Sequence, residues 1–166
     1  MKLLIASTLL ACMVASPAFA REGKLPVTQL GPKFMSILDI DTAKSQGGQV
    51  ISVWSVTFLA RATEDMTPGQ PVDWMGTRAE YDCATPGKWR ATHMHLYALD
   101  QPGEPVASDE TVQPWTMAGP YSPPLATWHG VCEGSFDGSG ISYRVEDESS
   151  HILISYRAML RARAAQ

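Results

Sequence analysis

The segment EYDCATPGKWRATHMHLYALD, residues 80–100, decides how this chain folds. Its middle part, residues 84–88, has the Pro and Gly of a compact turn, and the runs on either side predict strands. One strand is expected from about residue 72 to residue 83, and a returning strand from 89 to 99. Cys83 therefore stands at the end of the first strand, beside the turn.

Three more stretches predict strands. Residues 50–59, VISVWSVTFL, are rich in β-branched and aromatic residues, and apolar side chains on both faces indicate a central strand. Residues 34–41 precede it, and residues 106–111 predict a short edge strand. Short turns join successive strands, which favours an antiparallel meander of about five to six strands.

Two helical segments follow the predicted sheet. Ser122 is a suitable N-cap for a short helix over residues 125–132, and the spacing of the apolar positions places Cys132 on its apolar face. Residues 151–161 predict a C-terminal helix that follows acidic residues and ends in arginines, as suits the helix dipole. A strand over residues 151–156 is the alternative that this pattern leaves open.

The first twenty residues, MKLLIASTLLACMVASPAFA, have the pattern of an export signal. Lys2 provides the positive start, an apolar run follows, and Ala18-Phe19-Ala20 forms a small-x-small cleavage site. The apolar run is too short to span a bilayer. Cys12 offers an alternative, the lipidated first residue of a membrane-anchored lipoprotein, but the better cleavage site favours a soluble exported product.

Cleavage after Ala20 would leave 146 of the 166 residues, the size of one ordinary domain. Without Lys2 this chain has 12 basic and 17 acidic residues, and the net charge of −5 gives no indication of a nucleic-acid or anionic-membrane partner. No second stretch of the sequence is long and apolar enough to cross a membrane. Residues 21–33, with two prolines and two glycines, predict a loosely held leader.

Cys83 and Cys132 remain after cleavage. An isolated cysteine pair in an exported domain is most simply a disulfide, because the compartment is oxidising. The two residues lie 49 positions apart, and there is no Cys-x-x-Cys motif that would indicate redox chemistry. The bridge would pin the short helix to the sheet.

His93 and His95 are the main candidates for a ligand site. On a strand their side chains point to the same face, as does that of Tyr97. Two imidazoles so placed can bind Zn²⁺ or Cu²⁺ if Glu80 or Asp82 of the neighbouring strand supplies a carboxylate. The alternative is a polar strand face with two ordinary histidines. No cofactor is expected, haem included, since the sequence has no Cys-x-x-Cys-His motif.

The sequence contains no familiar catalytic motif. It has no Gly-x-Ser-x-Gly, no phosphate-binding glycine motif and no free thiol beside a histidine once the cysteines pair. Asp39 and Asp41 share a strand face and could act as acid and base, but a solvated strand end is the commoner explanation. We therefore expect a protein that is not an enzyme. Five aromatic residues could form a binding patch or belong to the core: Trp74, Trp89, Trp115, Tyr121 and Trp128.

Several short segments occur in a characteristic order. They are Asp39-Ile40-Asp41, Ser52-Val53-Trp54, AEYDCA at residues 79–84, Trp115-Thr116 followed by Gly119-Pro120-Tyr121-Ser122, and Cys132. With these segments the chain resembles, over residues 34–134, the surface-adhesin protein E-like domain of small exported bacterial proteins. The resemblance implies an antiparallel sheet with a helix tied to its concave face by a Cys83–Cys132 disulfide. It also implies an adhesin role, and it identifies no binding residue.

Residues and resemblance predict an α+β fold, with a helix tethered to one face of an antiparallel sheet by a disulfide, plus a C-terminal extension. The chain divides into a signal peptide (1–20), a leader (21–33), the adhesin-like domain (34–134) and a partly helical extension (135–166). The predicted function is an exported, non-enzymatic binding or envelope-associated module, in the periplasm or on the outer surface, with host or envelope proteins as partners. The alternatives are a periplasmic metal- or small-ligand-binding protein that uses the two histidines, and a purely structural envelope protein.

Overall fold

The computed structural model describes residues 24–101, 103–136, 142–144 and 149–164. The predicted signal peptide, including Cys12, lies outside these residues. Within them the chain forms eight strands, two helices and one π-helical turn. In chain order these are β1 (Lys24–Leu30), β2 (Phe34–Ser45), β3 (Val50–Thr63), β4 (Val72–Asp82), β5 (Lys88–Tyr97), β6 (Ala107–Asp109), β7 (Thr116–Met117), α1 (Pro123–Trp128), the π-helical turn (His129–Glu133), β8 (Ser142–Arg144) and α2 (Ser149–Ala164).

The strands form one antiparallel sheet. Its order is β6-β5-β4-β3-β2-β1-β8, and β7 pairs with the start of β5. The four long strands β2 to β5 follow one another both in sequence and in space, which is the meander that the short turns predict. The predicted central strand, residues 50–59, is part of β3 and has a paired neighbour on each side. The prediction of an antiparallel sheet is confirmed.

The sheet buries apolar side chains on both of its faces. Consecutive strand residues point to opposite sides, so Ile37 and Leu38 of β2 belong to two different cores. We name each face after the helix that covers it. The core of the α2 face contains Leu25, Val27, Met35, Ile37, Phe58, Trp74, Ile152, Leu153 and Tyr156. The core of the α1 face contains Leu38, Val53, Ala79, Tyr81, Trp128 and Val131.

A disulfide joins Cys83, directly after β4, to Cys132 in the π-helical turn, as the sequence predicts. The Cα atoms of the two residues lie 5.3 Å apart. Trp128 at the end of α1 is 3% exposed and donates its indole N–H to the carbonyl oxygen of Asp82 at 3.1 Å. A covalent bond, apolar packing and a hydrogen bond therefore hold this helical segment on the sheet at one place.

The predicted helix over residues 125–132 corresponds to α1 and the π-helical turn together. Ser122 occupies the N-cap position, but its hydroxyl donates to the carbonyl oxygen of Gly119 at 2.6 Å and accepts no hydrogen bond from the helix. Two prolines begin the helix, where a backbone donor is not needed. Gly134 ends the turn with a φ of 68°, a left-handed conformation that favours glycine.

Helix α2 covers the face opposite to α1. Its helical conformation shows that the alternative of a strand over residues 151–156 is wrong. The hydroxyl of Tyr156 donates to the carbonyl oxygen of Gly31 at 2.7 Å, and Arg157 forms a 2.7 Å ion pair with Asp73. These polar contacts fix the position of the helix along the sheet. None of the helices in the described part of the chain is both long and apolar enough to span a membrane.

Residues 24–30 form β1, so the prediction of a loosely held leader over residues 21–33 is wrong for this part. β1 pairs with β2 on one side and with β8 on the other, and Leu25 and Val27 are buried beneath α2. A short strand that contains proline has a weak local signal, and its partners in space stabilise it. β3 likewise extends to Thr63, four residues beyond the strand predicted for residues 50–59.

Candidate functional site

A cleft of about 630 Å³ opens on the α2 face, between the sheet and the first turn of α2. This volume lies in the range of sites for small organic ligands, about 300–1,000 Å³. Most of its walls come from four neighbouring strands of the sheet. The lining residues are Asp39, Trp54, Val56, Trp74, Gly76, His95, Tyr97, Gly103, Ser149 and Ser150.

The pairing of β4 with β5 sets one side of the cleft. Trp74 lies opposite Tyr97, and Gly76 lies opposite His95. Residues two apart on a strand point to the same face, so all four residues belong to the α2 face. The two large aromatic residues thus stand next to a position that has no side chain.

The pairing of β2 with β3 sets the other side. Asp39 lies opposite Trp54, and the regular ladder stops there and resumes at Lys44. The side chain of Thr42 links the backbones of these two residues. Its hydroxyl donates to the carbonyl oxygen of Asp39 at 2.6 Å and accepts from the N–H of Trp54 at 2.9 Å. This irregularity holds the backbone of both cleft residues in place.

Gly76 forms the floor of the cleft. A Cβ atom at this position would lie 3.7 Å from Cζ3 of Trp54 and 3.8 Å from Cε2 of Tyr97, which is ordinary contact distance. The φ of Gly76 is not positive, so the backbone does not require glycine here. Glycine inside a strand weakens it and often marks a place where another group approaches closely. The missing side chain is what leaves space between the two rings.

Four rings surround this floor in a continuous arc. The ring centroids of Trp54 and His95 are 5.3 Å apart, and those of His95 and Tyr97 are 6.3 Å apart. Tyr97 and Trp74 are stacked, with centroids separated by 5.4 Å. The hydroxyl of Tyr97 also lies 3.4 Å from Nδ1 of His95. The cleft therefore offers aromatic surface from Trp54, His95 and Tyr97, with the buried Trp74 behind Tyr97.

Asp39 brings a carboxylate to this aromatic surface. Burial raises the pKa of Asp39, and the nearby charge of Asp41 raises it further, against hydrogen bonds from the backbone of residues 41 and 42. Burial also raises the pKa of Tyr97, which stays a neutral phenol at physiological pH. Of the predicted acid–base pair, only Asp39 lines the cleft, whereas Asp41 is exposed and outside it.

The two predicted histidines have different surroundings. His95 lines the cleft, whereas His93 does not. His93 lies opposite Arg78 in the sheet, and its ring is 6.1 Å from that of Trp54. Both side chains are on the α2 face, as predicted from their spacing, but only one of them faces the candidate site.

The carboxylates predicted to complete a metal site are bound to basic residues. Glu80 lies 2.6 Å from the guanidinium of Arg90, and Asp82 lies 3.0 Å from Nζ of Lys88. The Lys88 hydrogen bond, above all, lowers the pKa of Asp82. In residues 24–101, residues 103–136 and the later segments that the structure describes, no three His, Cys, Asp or Glu side chains are grouped so as to hold a metal ion. Metal binding by His93 and His95 stays a prediction, and the carboxylates predicted as the third ligand are paired with basic residues instead.

The five predicted aromatic residues have separate roles. Trp74 and Trp128 are 2% and 3% exposed and belong to the two cores, and Trp74 also lines the cleft. Trp89 stacks on Tyr81 of the α1 face. Trp115 lies over basic side chains instead, with its ring 4.6 Å from Cζ of Arg90. Tyr121 is 90% exposed, so the five residues do not form a single binding patch.

The residues that sequence reasoning missed are Trp54, Gly76 and Tyr97 as parts of one site. The sequence places Tyr97 on the same strand face as the two histidines, and Trp54 in a strand, but it does not bring the two together. The available signal was Gly76, an isolated glycine within a predicted strand, which indicates a bulge or a close approach. No signal in the sequence connects it to Trp54, because the two residues meet only through strand pairing.

No protein-family model matches the chain, and no curated protein matches it in sequence. The chain is similar to two solved structures of protein E from Haemophilus influenzae, each 14% identical to it. One has a TM-score of 0.46, with 75% of this chain and 96% of that chain covered. The other, crystal form II, has a TM-score of 0.48, with 73% and 95% covered. Membership of the surface-adhesin protein E-like family stays a prediction.

Proposed function

We propose that this protein is an exported, non-enzymatic binding protein whose ligand site is the cleft on the α2 face. The observation that carries the proposal is the glycine floor flanked by aromatic rings. Gly76 leaves room between Trp54 and Tyr97 that any other residue would reduce. Export is supported by the predicted signal peptide and by the Cys83–Cys132 disulfide, since disulfides are typical of oxidising compartments such as the periplasm and the cell surface.

Binding explains the composition of the cleft better than catalysis does. Stacked aromatic rings supply large, rigid apolar surface, which stabilises a bound ligand mainly by burial and by contact with its flat groups. Polar groups at such a site orient the ligand, and here Asp39, His95 and the serines of the first turn of α2 are available. The proposed ligand is a small organic molecule with an apolar part.

Adhesin-like docking of a host or envelope protein is a second candidate function. It is favoured by the segment 112–121, which carries three exposed large apolar side chains. Val112 is 55% exposed, Met117 58% and Tyr121 90%. Exposed apolar patches are typical of protein contacts, and these three side chains lie in one short segment of the chain. Docking through this segment would be independent of the cleft, so the variants below separate the two functions.

The test is binding of small aromatic fragments to the purified, oxidised protein, followed by ¹H–¹⁵N NMR with the tryptophan indole signals included. We expect saturable shifts at the indoles of Trp54 and Trp74 and at Gly76. Gly76→Val should abolish these shifts, because its methyl groups fill the space between the rings. Valine suits a strand and the backbone at Gly76 allows it, so this variant should fold.

Gly119→Val is the matched control. A side chain at Gly119 would meet nothing within 4 Å, and its φ is also outside the region that favours glycine. This variant should bind fragments as the wild type does. Fragments that bind Gly76→Val equally well, or that shift only signals away from the cleft, would overturn the proposal, as would the absence of any fragment binding. Loss of binding to a protein partner in Met117→Ser, with fragment binding in the cleft intact, would support docking as a second, separate function.

A further inference from the structure

We propose that the cleft selects a small organic cation, whose positively charged nitrogen lies beside Asp39 while its apolar body lies against the aromatic rings. This inference rests on the proposed binding function and specifies the chemical class of the ligand. It follows from the burial of the Asp39 carboxylate without an ion-pair partner among the described residues, and from the attraction of the neighbouring aromatic rings for positive charge.

Asp39 differs from the other buried or half-buried carboxylates of the sheet. Asp73 and Asp82 each form an ion pair with an arginine or a lysine, at 2.7 and 3.0 Å. Asp39 forms no ion pair with any other residue that the structure describes, and its carboxylate accepts hydrogen bonds from the backbone of residues 41 and 42. It is half-buried and lines the cleft. A ligand in the cleft can therefore supply the positive charge that the neighbouring carboxylates receive from the chain.

The partial burial of Asp39 favours the binding of a positively charged ligand. The pKa of Asp39 is raised chiefly because the ionised carboxylate has lost water, and the charge of Asp41 adds to the effect. A cation placed beside Asp39 would stabilise the ionised form in surroundings that screen charge less than water does. An anionic ligand would meet the opposite effect, since it would have to approach the same carboxylate.

The rings contribute a second attraction for a cation. Trp54 and Tyr97 line the cleft and are only partly buried, and the faces of aromatic rings attract positive charge, with tryptophan the most effective. The chain uses the same interaction elsewhere, where the guanidinium of Arg90 lies 4.6 Å from the ring centroid of Trp115. Aromatic surface combined with a single carboxylate is the arrangement by which proteins recognise ammonium groups.

The basic side chain nearest in the sheet does not oppose this arrangement. Arg78 lies opposite Trp54, but its Nε donates to the hydroxyl of Ser52 at 3.1 Å, and Arg78 is not among the residues that line the cleft. In the row Asp39–Trp54–Arg78, Trp54 is the residue on the strand between the two charged residues. The positive charge of Arg78 is thus separated from the site.

The test uses four probes of similar size at one ionic strength: benzylammonium, benzyltrimethylammonium, benzyl alcohol and benzoate. We expect both cations to bind more tightly than benzyl alcohol, and benzoate to bind least. The two cations differ in whether the nitrogen can donate a hydrogen bond. A preference for benzylammonium indicates a direct hydrogen bond to Asp39, and equal affinity indicates that charge and ring contacts dominate; both results support the proposal.

Two single substitutions distinguish an effect of the Asp39 charge in the cleft from an effect of the net charge of the protein. Asp39→Asn should weaken binding of the cations by roughly tenfold or more, the usual effect of removing a charged hydrogen-bond partner, and should leave benzyl alcohol unaffected. Asn retains an oxygen that accepts the backbone hydrogen bonds, so the fold should persist. Asp41→Asn removes the same charge two residues away, outside the cleft, and should change the Kd by less than about twofold.

The possible results separate this inference from the proposed function. If benzyl alcohol and benzoate bind as tightly as the cations while Gly76→Val abolishes binding of all four, the cleft binds ligands but does not select cations, and the inference is overturned. The inference is also overturned if Asp39→Asn binds the cations as the wild type does. If no probe binds in the cleft, or if Gly76→Val has no effect, the proposed function itself fails.

Discussion

Reduction of the Cys83–Cys132 disulfide should destabilise the native fold by an amount that follows from the length of the loop it closes. The two cysteines are separated by 49 positions. The chain-entropy relation for a loop of this length gives about 4 kcal/mol at 25 °C. For a chain of 166 residues, this corresponds to a fall in Tm of roughly 8 to 16 °C.

The loss of stability on reduction should be greatest in one part of the structure. Cys132 follows α1, whose Trp128 packs on the α1 face, whereas α2 covers the other side of the sheet and is not linked to the bridge. Amide hydrogen exchange in residues 123–133 should therefore accelerate more on reduction than exchange in β2 and β3. Equal acceleration in the helical segment and in the sheet would mean that the bridge acts through global unfolding alone, without an additional local effect on residues 123–133.

The assay is thermal unfolding, followed by circular dichroism, of the oxidised and the reduced protein. The double variant Cys83→Ser/Cys132→Ser is the matched control: it should melt with the reduced wild type and should not respond to the reductant. Coincident melting curves of the oxidised and reduced wild type would refute the reasoning. They would show that packing around Trp128 alone already restrains this segment in both states.

Two further predictions concern ion pairs on the sheet. Arg157→Met should destabilise the fold by about 3 to 5 kcal/mol, because it leaves the carboxylate of Asp73, whose side chain is 8% exposed, without its partner. Adding Asp73→Asn should restore part of the loss in urea denaturation, and a double variant no more stable than the single one would contradict this. Lys88→Met should raise the pKa of Asp82 towards its ordinary value, measured by carboxyl ¹³C NMR, because the Lys88 hydrogen bond is the main cause of the lowered pKa. Because the pKa of Asp82 is lowered in the folded protein, ionised Asp82 stabilises the fold above its ordinary pKa, and this stabilisation is lost as the pH falls through the lowered pKa. The wild type and Lys88→Met should therefore converge in stability in acid. An unchanged pKa of Asp82 in Lys88→Met would contradict the prediction.

The regular part of the sheet was predictable because its signals are local. Residues 50–59 combine β-branched and aromatic side chains on both faces, and the structure places them in a strand with two neighbours. The turn at residues 84–88 predicts the hairpin of β4 and β5 for the same reason. β1 was missed because residues 24–30 have a weak local signal, and pairing with β2 and β8 stabilises them as a strand.

The candidate site was predictable only in part. The sequence predicts His95 as a possible metal ligand, and Asp39 as a possible acid or base together with Asp41. Both His95 and Asp39 line the cleft. Glu80, in contrast, was predicted as a partner of the histidines and is instead bound to Arg90. Which carboxylate meets which basic or aromatic side chain depends on strand register, and a change of one residue in register exchanges the two faces of the sheet.

Local composition and spacing predict the strands of the meander and the short helix that carries Cys132. The redox chemistry of an oxidising compartment predicts that the cysteine pair is joined. The position of Gly76 between Trp54 and Tyr97, with Asp39 at the same opening, follows instead from the packing of the folded chain. A cleft is the space that side chains from four strands and a helix leave unfilled. No single segment encodes that space, because it arises when register and helix packing bring the segments together.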